Sequence, residues 1–90
     1  MPAHRHLHAE NQVTLETIFD HHRHAPRVEW TDLVHLIEEV GTVRDKGDGV
    51  YQFVVNGEHH EYARPRHDAI TNADELAALR HFLERARMTP

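Results

Sequence analysis

The sequence predicts an α+β domain in which helices pack on one face of a small antiparallel sheet. Residues 50–55 are rich in β-branched and aromatic side chains, which favour a strand. Asn56-Gly57 follows, and this dipeptide favours a two-residue turn because both of its residues must adopt positive φ. Apolar residues recur at helical spacing on both sides of this segment. The predicted order is therefore helix, helix, three antiparallel strands, helix.

The two-residue turn also predicts the register between residues 50–55 and the returning strand, residues 58–64. Three opposite pairs are expected: Val55 with Glu58, Phe53 with His60, and Tyr51 with Tyr62. Because side chains alternate along a strand, the face that carries Tyr51, Phe53 and Val55 is the core face. Pro65 ends the strand, since it has no N–H to donate to a neighbour.

The remaining elements follow from apolar spacing and end signals. A first helix is predicted over residues 12–22 with Asn11 as its N-cap, and a second from the N-cap Thr31 to a C-terminal Gly41. A short strand over residues 42–46 and a glycine-rich turn then lead into the hairpin. The third helix starts at Asn72, which forms a capping-box pattern with Glu75, and ends near residue 87.

Length and composition limit the possible organisation and location. We expect residues 1–11 to form a flexible histidine-rich tail and residues 12–88 to form one domain. The chain has no cysteine, which excludes disulfides and thiolate metal sites. It shows no apolar stretch of about 18 residues and no signal peptide, so we expect a cytoplasmic protein with no membrane association.

The charge is acidic but unevenly distributed. Ten lysines and arginines oppose fifteen acidic residues, which gives a net charge of −5 and argues against general nucleic-acid binding. Acidic residues concentrate between residues 29 and 48, whereas the arginines lie mostly after residue 63. Eleven histidines, with ordinary pKa values of about 6.5, would turn the net charge positive in mild acid.

Five groups of residues occur in order along residues 14–87. They are Thr14-Leu15-Glu16-x-Ile18-Phe19, Glu29-Trp30-x-Asp32-Leu33-x-x-Leu36-Ile37-x-x-x-Gly41, Gly47-Asp48 with Phe53-x-x-Asn56-Gly57, Arg64-Pro65, and Leu79-Arg80-x-Phe82-Leu83. Together this ordered series resembles the longer form of the HicA toxin family. The resemblance implies a fold like that of double-stranded-RNA-binding domains, cleavage of mRNA, and neutralisation by a HicB-like antitoxin protein.

The resemblance also indicates where catalytic residues would lie. The best-known members carry a histidine after Gly-Ser at the start of the second strand, but here Gly49 and Val50 follow Gly47-Asp48. The longer form tends to show His-Arg-Pro-His after the hairpin. This chain instead reads Ala63-Arg64-Pro65-Arg66, with His67 displaced by one position. His67 is therefore the candidate catalytic residue.

The residue types after the hairpin suit RNA chemistry directly. The guanidiniums of Arg64 and Arg66 can hold phosphates bidentately, and the His67 imidazole can exchange a proton with a ribose 2′-OH. This chemistry requires no metal or cofactor, although a second group such as His59 or His60 would assist. On the outer face of the sheet, Arg44, Lys46 and His59 are further candidates for phosphate contact.

Two alternatives remain open at the level of sequence. The chain could be a non-catalytic protein-interaction module that docks a partner through an acidic face or the outer sheet. A weaker alternative is a metal binder, because His4-x-His6-x-His8 and His21-His22-x-His24 offer imidazoles suited to Zn, Ni or Cu. The second set lacks a histidine pair at i, i+4 spacing on one helix face, so no metal site is predicted.

Overall fold

The structure, a computed structural model, describes residues 7–20 and 27–90. The elements in this part of the chain are α1 (Ala9–Ile18), β1 (Val28–Glu29), α2 (Trp30–Val40), β2 (Thr42–Gly47), β3 (Val50–Val55), β4 (Glu58–Ala63), β5 (Ala69–Ile70) and α3 (Ala73–Arg85). Three helices with a three-stranded antiparallel sheet confirm the predicted α+β class. No helix among the described residues is long and apolar enough to cross a membrane.

The hairpin formed by β3 and β4 has the predicted register. Val55 lies opposite Glu58, Phe53 opposite His60, and Tyr51 opposite Tyr62. Asn56 and Gly57 adopt φ values of 49° and 83°, as the two-residue turn requires. On the other side of β3, β2 pairs with an irregularity between Asp45 and Gly47.

A second, two-stranded sheet was not predicted. β1 pairs antiparallel with β5, so that Val28 lies opposite Ile70. The backbone N–H of Trp30 donates to the carbonyl of Asp68 at 2.8 Å, which extends this contact to the first residue of α2. The loop after β4 is thus tied to the start of α2, and Ile70 is fully buried beneath it.

The core lies between the inner face of the sheet and the helices. Phe53 and Val55 are fully buried, Tyr62 is nearly so, and Tyr51 is half-buried at the margin. The Trp30 ring packs among them, with its centroid 5.2 Å from that of Tyr51 and 5.8 Å from that of Tyr62. Aromatic pairs at these separations add to the stability that burial alone supplies. The predicted core face of the hairpin is confirmed.

The predicted bounds of α1 are wrong at both ends. The helix begins at Ala9, inside the predicted tail, and ends at Ile18. Asn11 is not a cap: its side chain is buried, and its amide donates to the Glu39 carboxylate of α2 at 2.6 Å. The residue predicted to be an N-cap, Asn11, instead links α1 to α2 through a hydrogen bond.

The predicted cap of α2 is also wrong, because Trp30 is the first helical residue and Thr31 lies inside the helix. Gly41 does end α2, but not through a left-handed conformation, since its φ of −165° is extended. A Cβ at this position would lie 2.0 Å from the Val54 carbonyl oxygen. Glycine is needed here because α2 and β3 approach closely, not because the turn demands positive φ.

The predicted start of α3 is confirmed. The Asn72 side chain accepts hydrogen bonds from the backbone N–H groups of Asp74 and Glu75, at 2.8 and 3.1 Å. At the other end, the Asn56 side chain donates to the Ala86 carbonyl at 2.7 Å. The hairpin turn thus holds the C-terminal end of α3 against the sheet.

Candidate nucleic-acid interface

The predicted site residues fall into two groups in the structure. Arg44, Lys46 and His59 lie on the outer face of the sheet, on β2 and β4. Arg64, Arg66 and His67 lie in the loop after β4. Because a strand advances about 3.4 Å per residue, His59 and Arg64 are about 17 Å apart along the chain direction. The structure therefore does not bring all six residues into one site.

Two members of the outer-face group, Arg44 and His59, line a shallow concavity, and Lys46 lies outside it. Its volume is about 430 Å³, and Arg44, Gln52, Val54 and His59 contribute to its lining. The register explains this grouping, because Arg44 lies opposite Gln52 and Val54 lies opposite His59. Arg44 and His59 are exposed at the edges of this concavity. An anion placed there would meet a guanidinium on β2 and an imidazole on β4.

Lys46 is less available than Arg44. Its ammonium lies 2.7 Å from the Glu61 carboxylate, on the opposite edge strand. A hydrogen bond from Lys46, aided by its charge, lowers the pKa of Glu61. Within the described part of the chain, Arg44 makes no ion pair or side-chain hydrogen bond. The two basic residues of β2 therefore differ in how much of their charge remains uncompensated.

Arg64 is held in place by an acidic neighbour. Its Nε donates to the Asp68 carboxylate at 2.8 Å, and its backbone N–H donates to the Gly49 carbonyl. The hydrogen bond with Asp68, followed by one with Tyr51, raises the pKa of Arg64, and the same ion pair lowers the pKa of Asp68. A guanidinium has five N–H donors, so Arg64 keeps donors for another acceptor while its charge is offset.

Arg66 and His67 occupy the centre of a tight turn. The backbone N–H of Asp68 donates to the Pro65 carbonyl at 3.1 Å, which closes the turn around them. Both side chains are exposed, and neither has an ion pair or hydrogen bond to another described residue. The His67 imidazole can exchange protons with a ligand. Among the described residues, however, no hydrogen-bond partner orients it.

The two histidines considered as a second acid–base group lie elsewhere. His59 projects from the outer face, whereas His60 faces the core and stacks on Phe82 with ring centroids 5.2 Å apart. Burial, followed by the charge of Arg85, lowers the pKa of His60. Along β4, His60 is about 14 Å before Arg64. The structure does not place either histidine beside His67.

A groove beside the β4 exit was missed at the level of sequence. It has a volume of about 290 Å³ and is lined by Arg64 together with Trp30, Val34, His35 and Glu38 of α2. The pairing of β1 with β5 carries the loop after β4 to the start of α2. Those strands have two residues each, so no periodic signal in the sequence could have revealed the contact.

The histidine-rich segments fall largely outside the described residues. His4, His6, His21, His22 and His24 belong to residues 1–6 and 21–26. His8 is described, and its Nδ1 lies 3.1 Å from the Glu39 carboxylate. Among the residues that the structure describes, no three histidine, aspartate or glutamate side chains form a group that could hold a metal ion.

Comparisons of the chain with known protein families, with curated proteins and with solved structures found no match.

Proposed function

We propose that this protein is a HicA-like RNA-binding component of a toxin–antitoxin pair, with a HicB-like antitoxin as its protein partner. The ordered motifs along residues 14–87 support this assignment. The observation that carries RNA binding is that Arg44 and Arg66 are exposed and have no carboxylate partner within the described residues. An uncompensated guanidinium that contacts a phosphate releases a counterion, which favours binding.

The basic residues differ in how strongly they attract phosphates. Arg44, with His59 across the concavity, and Arg66 supply most of the attraction to phosphates. Lys46 and Arg64 supply less, because Glu61 and Asp68 already offset their charges. Arg64 acts mainly through directed hydrogen bonds, since Asp68 fixes the orientation of its guanidinium.

In this proposal, His67 is the general base for RNA cleavage. A neutral imidazole takes the proton of a ribose 2′-OH, and the resulting oxygen attacks the adjacent phosphorus as the bond to the 5′-oxygen breaks. The 5′-oxygen takes a proton from water, and the hydroxide formed takes the proton from the imidazolium, which restores the neutral ring. Arg64 and Arg66, on either side of Pro65, hold the phosphate oxygens during this step. Neither His59 nor His60 supplies a second acid–base group, because His59 projects from the outer face of the sheet and His60 stacks on Phe82, so we expect slow cleavage.

The binding proposal is tested by comparing Arg44→Ala with Lys46→Ala, two residues on the same face of β2. We expect Arg44→Ala to weaken binding to an RNA oligonucleotide and to reduce the slope of log affinity against log salt by about 1. Lys46→Ala should change both quantities much less. Equal effects of the two substitutions, or no effect of either, would contradict the ranking.

The cleavage proposal is tested with His67→Ala, and with His81→Ala as the control, because His81 is exposed on α3 and has no role in the proposed site. His67→Ala should abolish RNA cleavage and leave the circular dichroism spectrum unchanged, whereas His81→Ala should still cleave. An unchanged cleavage rate in His67→Ala would discard the catalytic assignment. Growth arrest on expression, relieved by co-expression of a HicB-like antitoxin, would support the toxin class.

A second candidate function is a non-catalytic protein-interaction module of the same fold. The observation that favours it is that carboxylates already pair with Lys46 and Arg64, two of the predicted phosphate contacts, in a chain of net charge −5. This candidate predicts no RNA cleavage, no growth arrest, and a stable complex with the HicB-like protein. A wild-type chain that binds RNA with a steep salt dependence would argue against it.

A further inference from the structure

The seam between β4 and α3 contains a histidine that the proposed function does not use. The His60 ring is half-buried and stacks on Phe82 of α3, with ring centroids 5.2 Å apart and an angle of 24° between the rings. On its own strand it lies 6.0 Å from the Tyr62 ring. His59, the preceding residue, is exposed on the opposite face. Two adjacent histidines thus occupy opposite environments.

Two polar contacts close the same seam. The Asn56 side chain donates to the Ala86 carbonyl at 2.7 Å, and Arg85 Nε lies 3.3 Å from the Glu58 carboxylate. With the stacked rings of His60 and Phe82, these contacts hold the C-terminal half of α3 on the hairpin. They involve only the last turns of α3, whereas Asn72 caps its other end independently.

The charged groups around His60 disfavour an added proton. Arg85 of α3 lowers the pKa of His60, after the larger effect of burial. Glu58, two residues earlier on the same face of β4, is the carboxylate that would favour a protonated ring, but it already pairs with Arg85. The cross-strand neighbour on β3 is Phe53, which is apolar. Tyr62 also titrates, but burial raises its pKa, so it stays neutral in mild acid.

The sign of the resulting pH dependence follows from linkage. An imidazole released from the seam takes up a proton at about pH 6.5, whereas the docked imidazole takes one up only at lower pH. The docked arrangement therefore has its full stability above about pH 6.5 and loses stability as the pH falls through the lower pKa of the docked form. Each unit of difference between the two pKa values corresponds to about a tenfold change in the opening equilibrium.

We propose that His60 is a pH-sensitive latch, whose protonation weakens the docking of the C-terminal half of α3 on the sheet. A charged ring is poorly solvated in the half-buried seam and stands beside the positive charge of Arg85, so it favours release into water. The opened form exposes Phe82, which is fully buried in the closed form. The aromatic cluster around Trp30, on the inner face at β3 and β4, keeps the remainder of the sheet covered. This latch operates whether or not the protein binds RNA.

The test is backbone amide hydrogen exchange measured by NMR at about pH 7.5 and pH 5.5, corrected for intrinsic rates. In the wild-type protein we expect the protection of amides in the last two turns of α3 to fall several-fold at the lower pH, while amides of β3 keep theirs. His60→Gln removes the titrating group. His60→Phe removes it while keeping an aromatic ring against Phe82. Both variants should show the same protection at the two pH values.

His59→Gln is the matched control, because it removes an exposed histidine from the adjacent position. It should behave like the wild type. The proposal is overturned if wild-type α3 keeps its protection at pH 5.5, or if His60→Phe loses protection as the wild type does. It is also overturned if protection falls equally across β3 and α3, because that result would report global unfolding.

Discussion

Replacing Gly41 with alanine tests the close approach between the end of α2 and β3. The added Cβ would lie 2.0 Å from the Val54 carbonyl oxygen and 3.0 Å from Val55 Cγ2. Val54 is on the central strand, bonded to neighbours on both sides, so its carbonyl cannot turn away as a flexible side chain would. Overpacking costs about 1–3 kcal/mol. We therefore expect Gly41→Ala to lower the free energy of unfolding by about 3 kcal/mol, the upper end of this range.

A loss of this size is measurable by urea unfolding. Trp30, the only tryptophan, is buried and reports unfolding by its fluorescence. For a chain of this length, about 3 kcal/mol corresponds to a fall in melting temperature of about 12–24 °C. Backbone strain plays no part in the expected loss, because the φ of Gly41 is extended at −165°.

Gly57→Ala is the matched control for this experiment. Gly57 has a φ of +83° and no atom within 4 Å of an added Cβ, so alanine there suffers backbone strain without a clash. That strain costs about 1 kcal/mol. A loss of stability in Gly41→Ala no larger than that in Gly57→Ala would contradict the predicted clash with Val54.

Three further predictions concern the polar contacts that join the elements. Asn11→Ala removes a buried amide that donates to Glu39 at 2.6 Å, and should lower the free energy of unfolding by about 1–2 kcal/mol in urea unfolding. Asn72→Ala removes the N-cap of α3 and should cost about 1 kcal/mol by the same measurement. Lys46 lowers the pKa of Glu61 below its ordinary value of 4.5, so this pair stabilises the fold above that value. The stability that this pair contributes is lost as the pH falls through the lowered pKa of Glu61 in the folded protein. In Glu61→Gln, the midpoint of urea unfolding should therefore fall less on acidification than it does in the wild type.

Each of these predictions has a control. Gln12→Ala, next to Asn11, removes only an exposed hydrogen bond to Glu16 and should have little effect. Equal losses in the two variants would contradict the role of Asn11. A stability of Asn72→Ala equal to that of the wild type would show that the cap contributes nothing. An identical acid dependence in Glu61→Gln would show that the ion pair with Lys46 does not contribute.

The hairpin was predictable because its determinants are local. Asn56-Gly57 selects the turn, the turn selects the register, and the alternation of side chains then places Phe53 and Tyr62 on the buried face. The cap at Asn72 was predictable for the same reason, because it involves only residues of the following turn. The class of fold followed from the order of these local signals.

The errors arise where tertiary contacts decide the role of a residue. Asn11 has the side chain of a helix cap, but Glu39, far along the chain, determines its position. The prediction that Gly41 ends α2 was correct. The reason that glycine is needed there, however, is the close packing of β3 against this position. The β1–β5 pairing joins segments of two residues each and has no sequence signature.

In the candidate site, too, the positions set by local spacing were predictable and the tertiary contacts were not. Sequence spacing correctly placed Arg44 and Lys46 on the outer face of the sheet with His59. It did not reveal that Glu61 pairs with Lys46 while Arg44 has no such partner among the described residues. Which cations remain available for a phosphate depends on such contacts.

The most direct test of the account is an NMR titration of the isotope-labelled protein with an RNA oligonucleotide at low and high salt. We expect chemical-shift changes at Arg44 and His59 on the sheet and at Arg66 and His67 after β4, all of which diminish as salt rises. Changes confined to α1 and α2, or changes at the predicted residues that salt does not weaken, would contradict it.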